Sequence, residues 1–298
     1  MEVYPLSQTF ARVPTVCALG LFDGVHLGHR ALLDLTVHTA KARGLTPAVL
    51  TFSDGDFKTG NKLTTQGARL RLFEEIGIER VHLMDFAAVR GLSPDDFVEK
   101  LLVERCGARV AVCGFNYHYG LKAAGNVDTL AVSMQKTAGE VFVLPAATTE
   151  DGEVISSTRI RRAIESGEIG PANAMLGRPY RLTATVVHGQ GLGHTLGLAT
   201  INQRFEEDAV IPARGVYATR CLVDGVGYAA ITNVGIRPTV GGTELLAESH
   251  LLDFAGDLYG KEVACDFLWM IREERTFDSL EALVAQIKQD IDSIREER

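Results

Sequence analysis

Along the first half of the chain, short apolar runs alternate with stretches whose apolar residues recur every three or four positions. The runs at residues 15–19, 48–52, 81–84, 109–113 and 141–144 have the length of strands. Between the first two, a glycine-rich stretch leads into a helical pattern that continues through Lys41 and is closed by Arg43-Gly44. A second helix starts at Thr64 or Thr65, turns Leu70, Phe73 and Ile76 inward, and ends at Gly77. Ser93-Pro94-Asp95-Asp96 is a further helix start: serine caps, proline suits the first turn, and the acids favour the positive end of the helix dipole. Alternation of this kind predicts a parallel sheet covered by helices on both faces.

After Gly177-Arg178-Pro179-Tyr180 the rhythm changes. Strand-like runs at residues 182–188, 216–222, 228–234, 247–254 and 263–270 follow one another without helices. Asp224-Gly225 separates two of them as a hairpin turn. Only the last segment is helical, with Leu280, Leu283, Val284, Ile287, Ile291 and Ile294 on one face. The expected architecture is an α/β chain: a Rossmann-like domain over residues 1–178, then an antiparallel β-barrel with a terminal helix over residues 179–298.

Composition narrows the functional classes. With 46% hydrophobic and 23% charged residues the chain is ordinary globular material rather than a disordered one. A net charge of −8 argues against a broad nucleic-acid surface, so phosphate recognition should be local. The five cysteines are scattered, with no CxxC pair, as expected of reduced thiols in the cytoplasm rather than a disulfide or zinc framework. The N-terminus lacks the basic-then-apolar pattern of a signal peptide, and no apolar run is long enough for a bilayer.

Two regions carry chemistry. Gly20-Leu21-Phe22-Asp23-Gly24-Val25-His26-Leu27-Gly28-His29 joins a strand to a helix start, where free backbone amides and the dipole suit a nucleotide phosphate. His26 and His29 are three residues apart and should point the same way, and Gly28 should let phosphate approach the backbone. An HxGH alone is equally consistent with polar surface residues beside a glycine turn. Two later segments bear on the choice: Gly114-Phe115-Asn116-Tyr117-His118-Tyr119-Gly120 after a strand, and Ile155-Ser156-Ser157-Thr158-Arg159-Ile160-Arg161 at a helix start.

In the second half, Gly189, Gly191 and Gly193 form a loop able to surround an anion. Thr200 and Asn202 alternate on an extended segment, so they face one side and could share a Mg²⁺–nucleotide complex. Asn233-Val234-Gly235-Ile236-Arg237-Pro238-Thr239 and Glu248-Ser249-His250-Leu251-Leu252-Asp253-Phe254 are less generic.

Together, LFDGVHLGH, GFNYHYG and SSTRIR resemble the adenylyltransferase module of bacterial bifunctional riboflavin kinase/FAD synthetases, an HxGH nucleotidyltransferase family, over about residues 10–178. The later motifs resemble riboflavin kinase over about residues 178–295. The resemblance implies phosphorylation of riboflavin to FMN and adenylation of FMN to FAD, with ATP as co-substrate and Mg²⁺ as cofactor. It implies that His26 and His29 bind ATP phosphates and stabilise the transition state. Asn116 would orient the phosphates or Mg²⁺. Ser157, Thr158 and Arg161 would hold the triphosphate, and Gly20, Phe22, Asp23 and Gly28 would line the nucleotide site. In the second module Glu248 is the implied catalytic base, Thr200 and Asn202 the Mg²⁺-nucleotide ligands, and Arg272 and Glu274 lie in the flavin-side region. The partners are small molecules, with neither nucleic acid nor membrane; weak self-association is left open.

Two departures from the family pattern stand out. Its TFxPHP-like stretch is replaced after Thr51-Phe52 by Ser53-Asp54-Gly55-Asp56, which touches the flavin side of the first module. Its Pro-Thr-Ala-Asn becomes Ala199-Thr200-Ile201-Asn202, which keeps the chemical pair and loses the stiffening proline, so less preorganised Mg·ATP binding is expected. Alternatives are a kinase with a weakened first module, a non-catalytic flavin-binding regulator, and an HxGH adenylyltransferase acting on another phosphate ester.

Overall fold

In strand Thr15–Leu19, Val16 and Ala18 enter one apolar cluster while Cys17 and Leu19 enter another, all of them buried. A strand buried on both faces must lie inside a covered sheet, and the computed structural model shows this. It describes residues 1–5, 11–54, 61–187, 199–239 and 242–296, in two compact units, Met1–Ser157 and Thr158–Arg298.

The first unit is built on β1 (Glu2–Pro5), β2 (Thr15–Leu19), β3 (Thr46–Phe52), β4 (Arg80–Met84), β5 (Ala108–Gly114) and β6 (Glu140–Leu144). These form a parallel sheet in the order β1-β4-β3-β2-β5-β6. Helices α1 (Leu27–Arg43) and α2 (Gln66–Ile76) supply Leu33, Ala40 and Phe73 to one face. The short helices α3 (Phe86–Val89) and α4 (Pro94–Asp96) follow β4, and α4 runs on as a π-helix, Phe97–Arg105. That π-helix and α5 (Val127–Lys136) cover the other face with Phe97, Leu101, Leu130 and Met134. The expected punctuation is present: Thr65 and Ser93 cap their helices, and Gly44 and Gly77 end α1 and α2 in the left-handed conformation. The expected strands are all found. The sheet also has β1, an edge strand with no apolar run to announce it.

The second unit begins within α6 (Ser157–Glu165), whose first residue is the last of the first unit, and continues with α7 (Ile169–Leu176). The Asn173 side chain of α7 donates to the Phe267 carbonyl at 2.9 Å and accepts from the Tyr180 amide at 2.7 Å. Strands β7 (Tyr180–Val187), β8 (Ala199–Arg204), β9 (Gly215–Val223), β10 (Val226–Thr239), β11 (Gly242–Leu251) and β12 (Glu262–Glu273) close into an antiparallel barrel, ordered β10-β11-β8-β7-β12-β9. Asp224 and Gly225 both take positive φ (50° and 82°) between β9 and β10, as a two-residue hairpin of this twist requires. Inside the barrel runs a chain of buried polar side chains. Thr219 and Thr232 hydroxyls meet at 2.7 Å, Thr232 and Ser249 at 2.8 Å, and the Cys265 thiol donates to Gln203 Oε1 at 3.2 Å. Outside, Ile291 and Ile294 of α8 (Leu280–Glu296) pack with Val216, Ala218 and Ile231.

His82 of β4 is 2% exposed, and burial, with Arg80 and Arg105 nearby, lowers its pKa from 6.5 to about 4. Between those values the unfolded chain binds a proton that the folded chain refuses, so His82's contribution is complete above the unfolded pKa and lost as pH falls. Denaturant titrations between pH 6.5 and 4 should show stability falling with a slope of up to roughly 1.4 kcal/mol per pH unit from this group. A His82→Gln variant should have a flatter profile; an identical slope would contradict the assignment.

Candidate active sites

In the sheet order, the chain moves outward from β2 through β3 and β4 on one side, while β5 and β6 extend the other. The crevice between the carboxyl ends of β2 and β5 is therefore the topological switch point, where open parallel sheets bind ligands. Gly20 through His26 leave β2 at this edge, and Phe115 through Tyr119 leave β5 there.

The loop after β2 is strained and firmly held. Phe22 (φ 56°), Gly24 (φ 83°) and Val25 (φ 39°) all have positive φ, an unusual state for a phenylalanine and an outlier for a β-branched valine. Asp23, 2% exposed, accepts from the Leu63 amide at 3.0 Å and the Thr64 amide at 3.2 Å. The Gly24 amide donates to Thr64 Oγ1 at 3.0 Å, Thr51 Oγ1 to the Leu21 carbonyl at 3.1 Å, and Ser157 Oγ to the Asp23 carbonyl at 2.9 Å. Asp23 thus acts on the loop itself.

His26 is the N-cap of α1 rather than a member of its first turn. Its Nδ1 accepts from the His29 amide at 3.3 Å, which uses one free helix amide and leaves the neutral ring's proton on Nε2. The two imidazoles stack at 3.6 Å between centroids and 18° between planes. Phe22 meets His29 edge-on at 5.3 Å and Phe73 at 5.6 Å, and a Cβ at Gly20 would come within 3.2 Å of the Phe22 ring. Burial first, then the nearby His26 and Arg69, hold the His29 pKa well below its ordinary 6.5. At Gly28 an added Cβ would come within 3.2 Å of the His26 ring and 3.4 Å of Ala147 Cβ, so the absent side chain makes room for the ring stack.

Asn116 is exposed at the end of β5, with its backbone carbonyl 2.9 Å from His118 Nδ1. On α6, Thr158 is exposed, and Arg161 stands one turn beyond Ser157, on the same helix face. Thr64 and Arg69 were not anticipated as parts of this environment. A signal existed for Arg69: it falls four residues before Phe73, at an inward position of α2.

On the barrel, register assembles the second site. Thr200 and Asn202 alternate along β8, opposite His250 and Glu248 of β11, and Glu248 is in turn opposite Asn233 of β10. Lateral neighbours share a face, so Asn202, Glu248 and Asn233 form one rung, with Thr200 and His250 in the next. Since Ser249 and Thr232 point into the barrel, this rung lies outside it. Asn202 is 8% exposed. His250 and Asn233 are additions, and the Glu-x-His spacing was the readable sign of the first. Gly189, Gly191 and Gly193 lie outside the described residues, as do Gly55 and Asp56. Arg272, expected in the flavin-side region, ties α8 to β12: its guanidinium pairs with Asp290 at 2.9 Å, and these side chains are 14% and 3% exposed. Glu274 closes over Gly235, where a Cβ would collide with its carboxylate.

A family model described as FAD synthetase matches residues 10–159, and one described as riboflavin kinase matches residues 176–297. A bifunctional riboflavin kinase/FMN adenylyltransferase of Listeria monocytogenes is 36% identical, over 92% of this chain and 90% of its own. That of Pseudomonas fluorescens is also 36% identical, over 94% of this chain and 92% of its own. A crystal structure from Streptococcus pneumoniae, described as a macrolide-efflux protein, matches with a TM-score of 0.88 at 30% identity over 99% of both chains. No helix among the described residues is long and apolar enough to cross a membrane.

Replacing Gly28 by alanine should push His26 off His29. Thermal unfolding should show a loss of about 1–3 kcal/mol, and the ring-to-ring NMR contact should disappear. An unchanged contact would show that the stack does not need the glycine.

Proposed function

Because this chain belongs to the bifunctional riboflavin kinase/FMN adenylyltransferase family, we propose that its two sites make FMN and then FAD, each with ATP. We assign the kinase function to residues 179–298 and the adenylyltransferase function to residues 1–178. In this assignment Ser157, Thr158 and Arg161 belong to the adenylyltransferase function.

The kinase reading is supported most by the outward rung Asn202–Glu248–Asn233. Glu248 accepts the proton of the ribityl hydroxyl as that oxygen attacks the γ-phosphorus of ATP; the bond to the ADP oxygen breaks, and ADP departs. Thr200 and Asn202 offer neutral oxygen donors on one face, a donor set that suits Mg²⁺ completed by phosphate oxygens and water. When bound, that ion would offset phosphate charge.

For adenylyl transfer, an FMN phosphate oxygen attacks the α-phosphorus and the bond to pyrophosphate breaks. His26 and His29 donate hydrogen bonds to oxygens that gain charge, and backbone held by Asp23 keeps them in place. Gly20 and Phe22 support the rings, and Gly28 lets them stack. Asn116 orients the phosphates from the neighbouring strand end, Ser157 and Thr158 hold the triphosphate, and Arg161 neutralises the departing pyrophosphate. The five free cysteines are all buried, which supports a reduced, cytoplasmic setting.

Two variants test the assignment. Glu248→Gln should abolish FMN formation and leave FAD synthesis from supplied FMN intact, whereas His29→Ala should do the reverse. Loss of both activities in each folded variant would refute two independent sites.

A further inference from the structure

Arg69 is among the largest fully buried side chains, and burying a guanidinium is costly unless it is paired. Its Nη2 donates to the Phe52 carbonyl at 2.9 Å and to Asp54 Oδ1 at 3.1 Å. The other Asp54 oxygen accepts from the Gln66 amide at 2.7 Å and lies 3.7 Å from Lys62 Nζ. One carboxylate therefore joins the end of β3, the start of α2 and the buried cation. Asp54 stands at the first proline of the family's TFxPHP-like stretch, so the departure noted in the sequence has a structural use.

One turn beyond Arg69, Phe73 supports Phe22, Phe22 supports His29, and His29 stacks on His26. The charged and titratable groups acting on His29 are His26 from α1 and Arg69 from α2; those acting on Arg69 are Asp54 and Asp23. Nδ1 of His29 is buried and has no hydrogen-bond partner among the described residues, so a proton there would be unsupported.

We propose that Arg69, clamped by Asp54, is a positioning residue of the adenylyl-transfer site: it fixes the start of α2, and with it the Phe73–Phe22 support beneath His29, and sets its cation near that ring. The inference rests on reading the pair as the nucleotide site. A neutral His29 contributes little attraction to the resting nucleotide and more as negative charge accumulates on the transferring phosphate, which favours the transition state over the ground state.

The test is NMR titration of the His29 imidazole in the full-length chain, with the dispersed amide spectrum of the first unit as the check on folding. Arg69→Gln keeps a donor and removes the charge; it should move the His29 midpoint upward. Arg69→Lys retains the cation and should restore most of that shift. If Arg69→Gln does not fold, the double variant Arg69→Gln/Asp54→Asn, which removes the facing carboxylate together with the cation, is read the same way. An unmoved midpoint in a folded charge-removed variant overturns the proposal. The pH profile of FAD synthesis should shift with the midpoint. A shifted midpoint with an unshifted profile would instead count against the histidine pair as the nucleotide site, while leaving the action of Arg69 on His29 standing.

Discussion

The two-residue period of a β-strand is the constraint on which both sites depend. In the barrel, the hydroxyls of Thr219, Thr232 and Ser249 bond to one another in the interior. A slip of one residue in β11 would expose Ser249 and bury Glu248, leaving a carboxylate in an apolar core and hydroxyls without partners. The interior chain thereby holds Glu248 outward, beside Asn202 and Asn233. In the parallel sheet the same period divides β2 between two cores, and this buried strand delivers the Gly20–His26 loop to the switch point.

Strain and support are matched at that loop. Positive φ at Phe22 and Val25 is unfavourable by itself, yet the bonds made by Asp23, Thr51, Thr64 and Ser157 leave the backbone little freedom to relax. The return is a histidine pair already stacked at the mouth of α1. Preorganisation of this kind suits phosphate chemistry, in which geometry and charge, rather than a protein nucleophile, lower the barrier.

Local signals were readable in the sequence, and register was not. Gly44, Gly77, Thr65, Ser93 and Asp224-Gly225 announce caps and a turn because backbone conformation at those points is decided by the residues themselves. His26 and His29 could be placed at a helix start for the same reason. That Glu248 faces Asn202 and Asn233 depends on pairing among three strands far apart in sequence, so Asn233 and His250 went unassigned. Arg272 and Asp290 illustrate the same limit. A charged run looks solvated until the helix carrying its partner is docked. β1 was missed because edge pairing to β4 needs backbone groups more than an apolar pattern, and the room Gly28 leaves for the His26 ring shows only once that ring is placed.

The most direct measurement is a time course with the purified chain, ATP and Mg²⁺, separating flavins by HPLC from two starting points, riboflavin and FMN. Two working sites require FMN to rise before FAD in the first reaction and FAD to form without delay in the second. FMN accumulating without FAD, and no FAD from supplied FMN, would contradict the account and leave a kinase whose stacked histidine pair performs no adenylyl transfer.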